Sequence, residues 1–294
     1  MRPDAPQGEV IAAHGRNFLV RPDDADAPVV SAVTRGRNAD VVVGDRVHFA
    51  RASADQAVIE QVAPRRNLVR RSDAYRTKAI AANVDQAIVV VSGHPAFDER
   101  LLLHVALALS AERIPMRLAV TKIDLADATR AIAPRLAAWR AVGTPVDELS
   151  LLAQPRGVEV LRAALAGRRT LLLGQSGMGK STLVNALVPD AEQRTAAISL
   201  ALASGRHTTT FSRVFPLDGG GTIIDSPGFQ AFGISHLSTW EKAHAMPEFA
   251  PLLGSCRFND CRHRDEPGCA IRAAVACGSI DALRYRLFGT IVDD

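Results

Sequence analysis

Thr170-Leu171-Leu172-Leu173-Gly174-Gln175-Ser176-Gly177-Met178-Gly179-Lys180-Ser181 passes from an apolar run into a glycine-rich turn, then into Thr182-Leu183-Val184-Asn185-Ala186-Leu187. The pattern predicts a strand at 170–173, a loop, and a helix from Lys180 to Leu187. Gly174-x4-Gly179-Lys180-Ser181 satisfies G-x4-G-K-[ST] in the strand-to-helix setting that the motif requires. Glycines let successive backbone N–H groups turn inward around phosphate oxygens. Lys180 is placed for the β- and γ-phosphates and the Ser181 hydroxyl for Mg2+. The first helical turn, with Thr182, adds favourable partial charge.

Working outward, strands and helices alternate. Ala87 to Ser92, Met116 to Val120 and Pro145 to Leu149 read as strands. Phe97 to Arg113, Leu125 to Arg140 and Val158 to Ala166 read as helices. Such alternation implies an α/β unit with a parallel sheet covered on both faces. Residues 8–70 differ: Gly8 to Val20, Val29 to Thr34, Val41 to Phe49 and Ala57 to Val62 are β-rich runs broken by turn residues. About five short strands in that space suggest a small closed barrel, an OB-fold first and an SH3-like barrel second.

Base choice rests on Thr121-Lys122-Ile123-Asp124, which follows an apolar strand and resembles N-K-x-D. The Asp124 carboxylate can accept from guanine N1–H and the 2-amino group together, a pair that adenine lacks. Lys122 can lay its stem along the base, and Thr121 replaces the usual Asn. Asp225-Ser226-Pro227-Gly228 resembles D-x-x-G: Asp225 would hold Mg2+ through water, and the Gly228 N–H would meet the γ-phosphate. Gly205-Arg206-His207-Thr208-Thr209-Thr210 lies between. Thr209, or next Thr208, would close over Mg2+ and the γ-phosphate. Ser150, in Glu148-Leu149-Ser150, would complete the base contacts.

The motif order is inverted, since Asp124 and Ser150 precede Lys180. A circularly permuted chain builds the same sheet, and its switch segments, 195–210 and 225–232, then feed directly into the C-terminal part of the chain. The order TKID, GQSGMGKS, GRHTTT, DSPG resembles the RsgA family, bacterial circularly permuted GTPases of small ribosomal subunit maturation. The likeness covers nearly the whole chain, including Arg65-Arg66-Asn67-Leu68 and Asn83-Val84-Asp85-Gln86. It implies a circularly permuted P-loop GTPase domain (69–232) flanked by an N-terminal OB-fold β-barrel (1–68) and a C-terminal helical zinc-binding domain (233–294). It also implies GTP hydrolysis to GDP and phosphate, and binding of the 30S subunit and 16S rRNA.

Cys256-x4-Cys261-x-His263-x5-Cys269 sits where that family has its zinc site. Three thiolates and an imidazole make a closed tetrahedral site, structural rather than catalytic. A disulfide pair is the alternative, disfavoured in a reducing compartment. Cys277 is expected as a buried small hydrophobe on a helix from Ile271 to Cys277.

Of 35 basic residues only Lys78, Lys122, Lys180 and Lys242 are lysine; the rest are arginine, whose planar fork suits phosphate. Arg65, Arg66, Arg70, Arg71, Arg76 and Lys78 form one run, and Arg257, Arg262, Arg264, Arg272, Arg284 and Arg286 a looser one. Two basic regions at opposite ends fit nucleic-acid contact or merely solvated faces. The longest apolar stretch is too short to span a bilayer, and the N-terminus has no apolar signal core, so a cytoplasmic protein is expected; it is also expected to be a monomer. Phe229 stands where many GTPases carry a water-orienting glutamine, so intrinsic hydrolysis should be slow and partner-stimulated. His207 is a candidate to position water; the alternative is that it only packs or contacts RNA. The competing readings are an RNA-binding module that uses nucleotide as a conformational ligand, and an ATP-dependent kinase, against which Asp124 speaks.

Overall fold

The computed structural model describes residues 6–35, 40–53, 55–72, 75–152, 157–188, 190–193, 195, 198 and 211–292. Strands β1 (Gln7–His14) and β2 (Asn17–Pro22) fold back on each other through Gly15, whose φ of 60° is open to glycine at no steric cost. β3 (Val30–Thr34), β4 (Arg46–Arg51) and β5 (Gln56–Val62) follow. Their order is β1-β2-β3-β5-β4, with β4 returning to β1 and β3 parallel to β5. That closure makes an OB-like barrel, as expected, around its own core of Val10, Phe18, Val20, Val47, Phe49 and Ile59.

The run from Val41 to Phe49 is not one strand. Only Arg46 onward joins β4. Gly44 sits at φ 89°, and a Cβ there would collide with the Ala82 carbonyl oxygen, so the chain must turn. The buried Asp45 carboxylate fixes that turn, accepting the Val42 N–H at 2.9 Å and both arms of the Arg65 guanidinium at 2.7 and 2.8 Å.

A hairpin that hydrophobic patterning did not reveal comes next: β6 (Leu68–Ser72) and β7 (Thr77–Ala82). Then the alternating unit begins with β8 (Gln86–Ser92), α1 (Glu99–Ala111), β9 (Met116–Thr121), α2 (Ala126–Ala141), β10 (Val146–Glu148), α3 (Val158–Leu165), β11 (Arg169–Gly174) and α4 (Lys180–Leu187). β12 (Ser212–Pro216) and β13 (Thr222–Asp225) complete it. The sheet order is β10-β9-β8-β11-β13-β12; the first five strands are parallel and β12 is antiparallel to β13. Every residue of β8 is buried, as a central strand covered on both faces requires.

β12 also pairs with β1, Ala12 opposite Arg213 and Ala13 opposite Ser212. Among the described residues the barrel and the parallel unit therefore share one eleven-stranded sheet.

The C-terminal region is helical. α5 (Thr239–His244) starts at a capping box in which Ser238 and Glu241 satisfy each other's backbone N–H groups. A 3-10 turn (Ala250–Leu252), α6 (Ala270–Ala276) and α7 (Ala282–Ile291) follow. Phe249 and Phe288, ring centroids 4.9 Å apart, belong to the same core cluster as Leu103 and Leu107 of α1. Arg284 fastens the junction: its guanidinium lies 4.2 Å over Trp139 of α2 and donates to Glu248 at 2.5 and 3.2 Å.

Candidate functional site

The C-terminal ends of β8, β9, β11 and β13 converge on the loop of residues 174–179, the position where open parallel sheets bind ligands. Gly177 and Gly179 take φ of 81° and 87°, the left-handed region that glycine enters freely. α4 has Gly179 as N-cap and no side-chain cap, so its first N–H groups remain available to an anion. Gln175, Ser176, Gly177, Gly179, Lys180, Ser181 and Thr182 line a cavity of about 510 Å3, joined by Lys122, Asp225 and Gly228. Gly174 and Met178 stand behind it: Met178 is buried, and its sulfur accepts from the Ser92 hydroxyl at 3.3 Å.

Thr121, the departure from the usual Asn, is buried and donates its hydroxyl to the Met178 carbonyl at 2.6 Å. It thus braces the loop from the neighbouring strand. Lys122 adopts φ 59° and directs its ammonium to the carbonyls of His94 (2.9 Å) and Gly177 (2.8 Å). Its amine pins the loop while its stem remains beside the pocket. Ile123 donates its N–H to Leu149 at 3.5 Å, which places buried Ser150 at the end of the adjoining strand. Asp124 is exposed at the same edge of the sheet.

On the other side, the Ser226 hydroxyl donates to the Leu172 carbonyl at 2.9 Å, and the Phe229 N–H to Gly174 at 3.3 Å. A Cβ on Gly228 would stand 3.6 Å from the Ser176 nitrogen, so this element lies directly over the phosphate loop. Phe229 itself is buried and packs edge-on against Phe232, centroids 5.2 Å apart, whereas Gln230 is exposed. The aromatic side chain is therefore a wedge of the core. His207, Thr208 and Thr209 lie outside the described residues.

Asp225 holds a buried ion cluster. One carboxylate oxygen accepts from Lys180 Nζ at 2.5 Å, the other from Arg213 Nη2 at 3.1 Å. Sequence reasoning did not single out Arg213. The signal was the alternation Phe211-Ser212-Arg213-Val214-Phe215, which puts a cation between two aromatics on one strand face.

The second constellation is local. Cys256, Cys261, His263 and Cys269 bring one ligand atom each to within 4.8 Å of one another. His263 Nδ1 is 3.6 Å from both Cys256 and Cys269 sulfurs. A tetrahedral ion with bonds of about 2.1–2.3 Å spaces its ligand atoms about 3.5–3.8 Å apart, so the arrangement fits a closed metal site. Burial pushes the Cys261 thiol up to about 12, and burial also lowers His263, which favours the neutral imidazole that a metal needs. A divalent cation would supply the charge that turns such thiols into thiolates. The four cysteines are free of disulfides. Glu266 braces the loop by accepting the N–H groups of Arg262 and Arg264 at 2.9 and 2.8 Å. Burial raises its pKa, but backbone N–H groups outweigh this and hold it at about 2.

Cys277 departs from expectation. It is exposed at the C-cap of α6, with its thiol directed to the Ala274 carbonyl (3.3 Å) and Ser279 hydroxyl (3.1 Å). The helix buries Ile271 and Ala274 but ends at Ala276, so Cys277 stands outside it as the C-cap.

Residues 62–235 match the sequence profile of the RsgA GTPase family. The chain is also 50% identical, over 98% of its length and 92% of the relative's, to the small ribosomal subunit biogenesis GTPase RsgA of Burkholderia pseudomallei (strain 668). The chain belongs to the RsgA GTPase family. It is accordingly a GTP hydrolase. The crystal structure of YjeQ from Thermotoga maritima superposes with a TM-score of 0.73 at 27% identity, covering 98% of this chain and 97% of that one. YloQ, described as a circularly permuted GTPase, has the same fold (TM-score 0.71, 24% identity, covering 99% and 95%). An RsgA GTPase is thus read from inverted motifs because its chain is permuted. Among the described residues no helix is long and apolar enough to cross a membrane.

Proposed function

We propose that this chain acts in late maturation of the small (30S) ribosomal subunit, hydrolysing GTP to GDP and phosphate under stimulation by that subunit. The observation that carries the reading is the seating of the phosphate pocket between two structural ends. β12, which enters the pocket through Arg213, is paired with the barrel, and the chain leaving Gly228 runs straight into the C-terminal helices. Relatives named for small-subunit biogenesis supply the biological context.

In this reading the N–H groups of residues 175–181 cradle the phosphates, and Lys180 leaves Asp225 to meet them. Asp124 accepts from guanine, with Thr121, Lys122, Ile123 and Ser150 shaping its setting. Ser181, Asp225 and Thr209 offer the hard oxygen donors that suit Mg2+. Bound there, Mg2+ would offset negative charge on the phosphates. Phe229 leaves no side chain to orient water, so His207 is assigned that role when the subunit completes the site.

Contact with 16S rRNA is assigned to the barrel region (1–68) and the zinc region (233–294), flanking the GTPase unit (69–232). Arg65, Arg66 and Arg70 are already engaged by Asp45, Asp85 and Glu112. The metal at Cys256, Cys261, His263 and Cys269 is zinc, by donor set. The protein acts as a cytoplasmic monomer. The test is GTP turnover with and without purified small subunits, together with co-sedimentation in GDP or a non-hydrolysable GTP analogue. Stimulated turnover and nucleotide-dependent binding are expected; binding without any stimulation would reduce the chain to an RNA-binding module.

A further inference from the structure

Arg213 is surplus to the structure as it stands. Its side chain is about nine-tenths buried, and among the described residues its Nε and Nη1 have no hydrogen-bond partner. Only Nη2 is used, on Asp225 at 3.1 Å. The guanidinium carbon lies 5.4 Å from the Phe211 ring centroid and 5.0 Å from that of Phe215. Burial lowers its pKa from the usual arginine value. Leaving buried donors unmade is costly. Charge balance does not require it either, because Lys180 already neutralises Asp225 at 2.5 Å.

The second cation acquires a use once Lys180 departs. Phosphates in the cavity compete for the Lys180 ammonium, and Asp225 would then be a buried carboxylate without a partner. Removing one member of a buried pair is strongly unfavourable. Arg213 stands directly across the ladder from Asp225, so backbone pairing fixes the two residues relative to each other. It holds one carboxylate oxygen while Lys180 releases the other toward the cavity.

We infer that Arg213 is a positioning residue that retains and aims Asp225 when Lys180 is transferred to the nucleotide phosphates. This rests on the reading that Asp225 serves Mg2+. The arginine acts through Asp225.

The test uses the full chain as wild type, Arg213→Met and Arg213→Lys. Binding of a fluorescent GDP analogue is measured in EDTA and across a Mg2+ titration, with GTP turnover and thermal melting alongside. For Arg213→Met, affinity in EDTA should fall about tenfold and half-saturating Mg2+ should rise about tenfold, the size of one charge-assisted hydrogen bond. Its melting temperature should hold or rise, since two orphaned donors are removed. Arg213→Lys, which keeps the charge, should recover most of the loss. Binding and Mg2+ dependence within about twofold of wild type in Arg213→Met would overturn the inference, as would a lysine variant no better than methionine. A lower melting temperature with unchanged binding would show a packing role only and overturn it too. If wild-type affinity ignores Mg2+, the parent reading of Asp225 fails first and this one falls with it.

Discussion

The phosphate pocket and the metal cluster gather their residues in opposite ways. The pocket draws on strand ends separated widely in the chain, from Thr121 to Gly228, and its loop is pinned by Thr121, Lys122, Ser226 and Phe229 before any nucleotide arrives. The cluster draws on one short loop, Cys256 to Cys269, whose residues are mostly exposed or half-buried. Non-local hydrogen bonds set on a buried sheet organise the first. The second is held mostly by short-range contacts and by its neighbours in the helical region: Glu266, the Tyr285 hydroxyl, which donates to the His263 carbonyl at 2.7 Å, and Arg264, which donates to the Gly289 carbonyl at 2.7 Å. A site shaped by a packed scaffold tolerates loss of its ligand; a site with little core of its own depends on the ligand for its shape.

Stripping the metal with a chelator, or Cys261→Ser, should have the largest effect. Melting should shift by the equivalent of several kcal/mol, while GDP affinity below the melt stays within about threefold. An unchanged melt after verified metal loss would erase the contrast. Lys180→Ala should cut GTP turnover by about two orders of magnitude with little change in melting, because Asp225 keeps Arg213. Phe229→Gln should cost about 2–4 kcal/mol in stability, by loss of its packing on Phe232, and should give no faster intrinsic hydrolysis; a faster rate would show that the position can reach water. Thr121→Val should be smallest: about 1 kcal/mol, read as a several-fold faster GDP release because the Met178 carbonyl loses its donor.

The same contrast explains what could be read in advance. The phosphate loop, Asp124, Asp225 and the Cys/His spacing are short patterns with fixed chemistry, so the sequence displays them. The parallel sheet followed from uniformly apolar runs such as Ala87–Val91. Gly44-Asp45 marks a turn inside the run from Val41, but apolar content does not report that the turn packs against Ala82. The β6–β7 hairpin was hidden by Arg70, Arg71 and Lys78, which mask alternation. Cys277 was misplaced because a helix of seven residues leaves its last turn in solvent. Arg213 was passed over as one arginine among many; the alternation with Phe211 and Phe215 marks its face, but its partner Asp225 is set by cross-strand register, which is not written in a single strand.

Pairing of β1 with β12 has a further consequence. With the barrel absent, Ser212 and Arg213 would present open backbone donors and acceptors beside Val214 and Phe215, and such an edge invites strand addition from another chain. The barrel is therefore also a cover against self-association, and a protein trimmed of it should clump before it loses its fold.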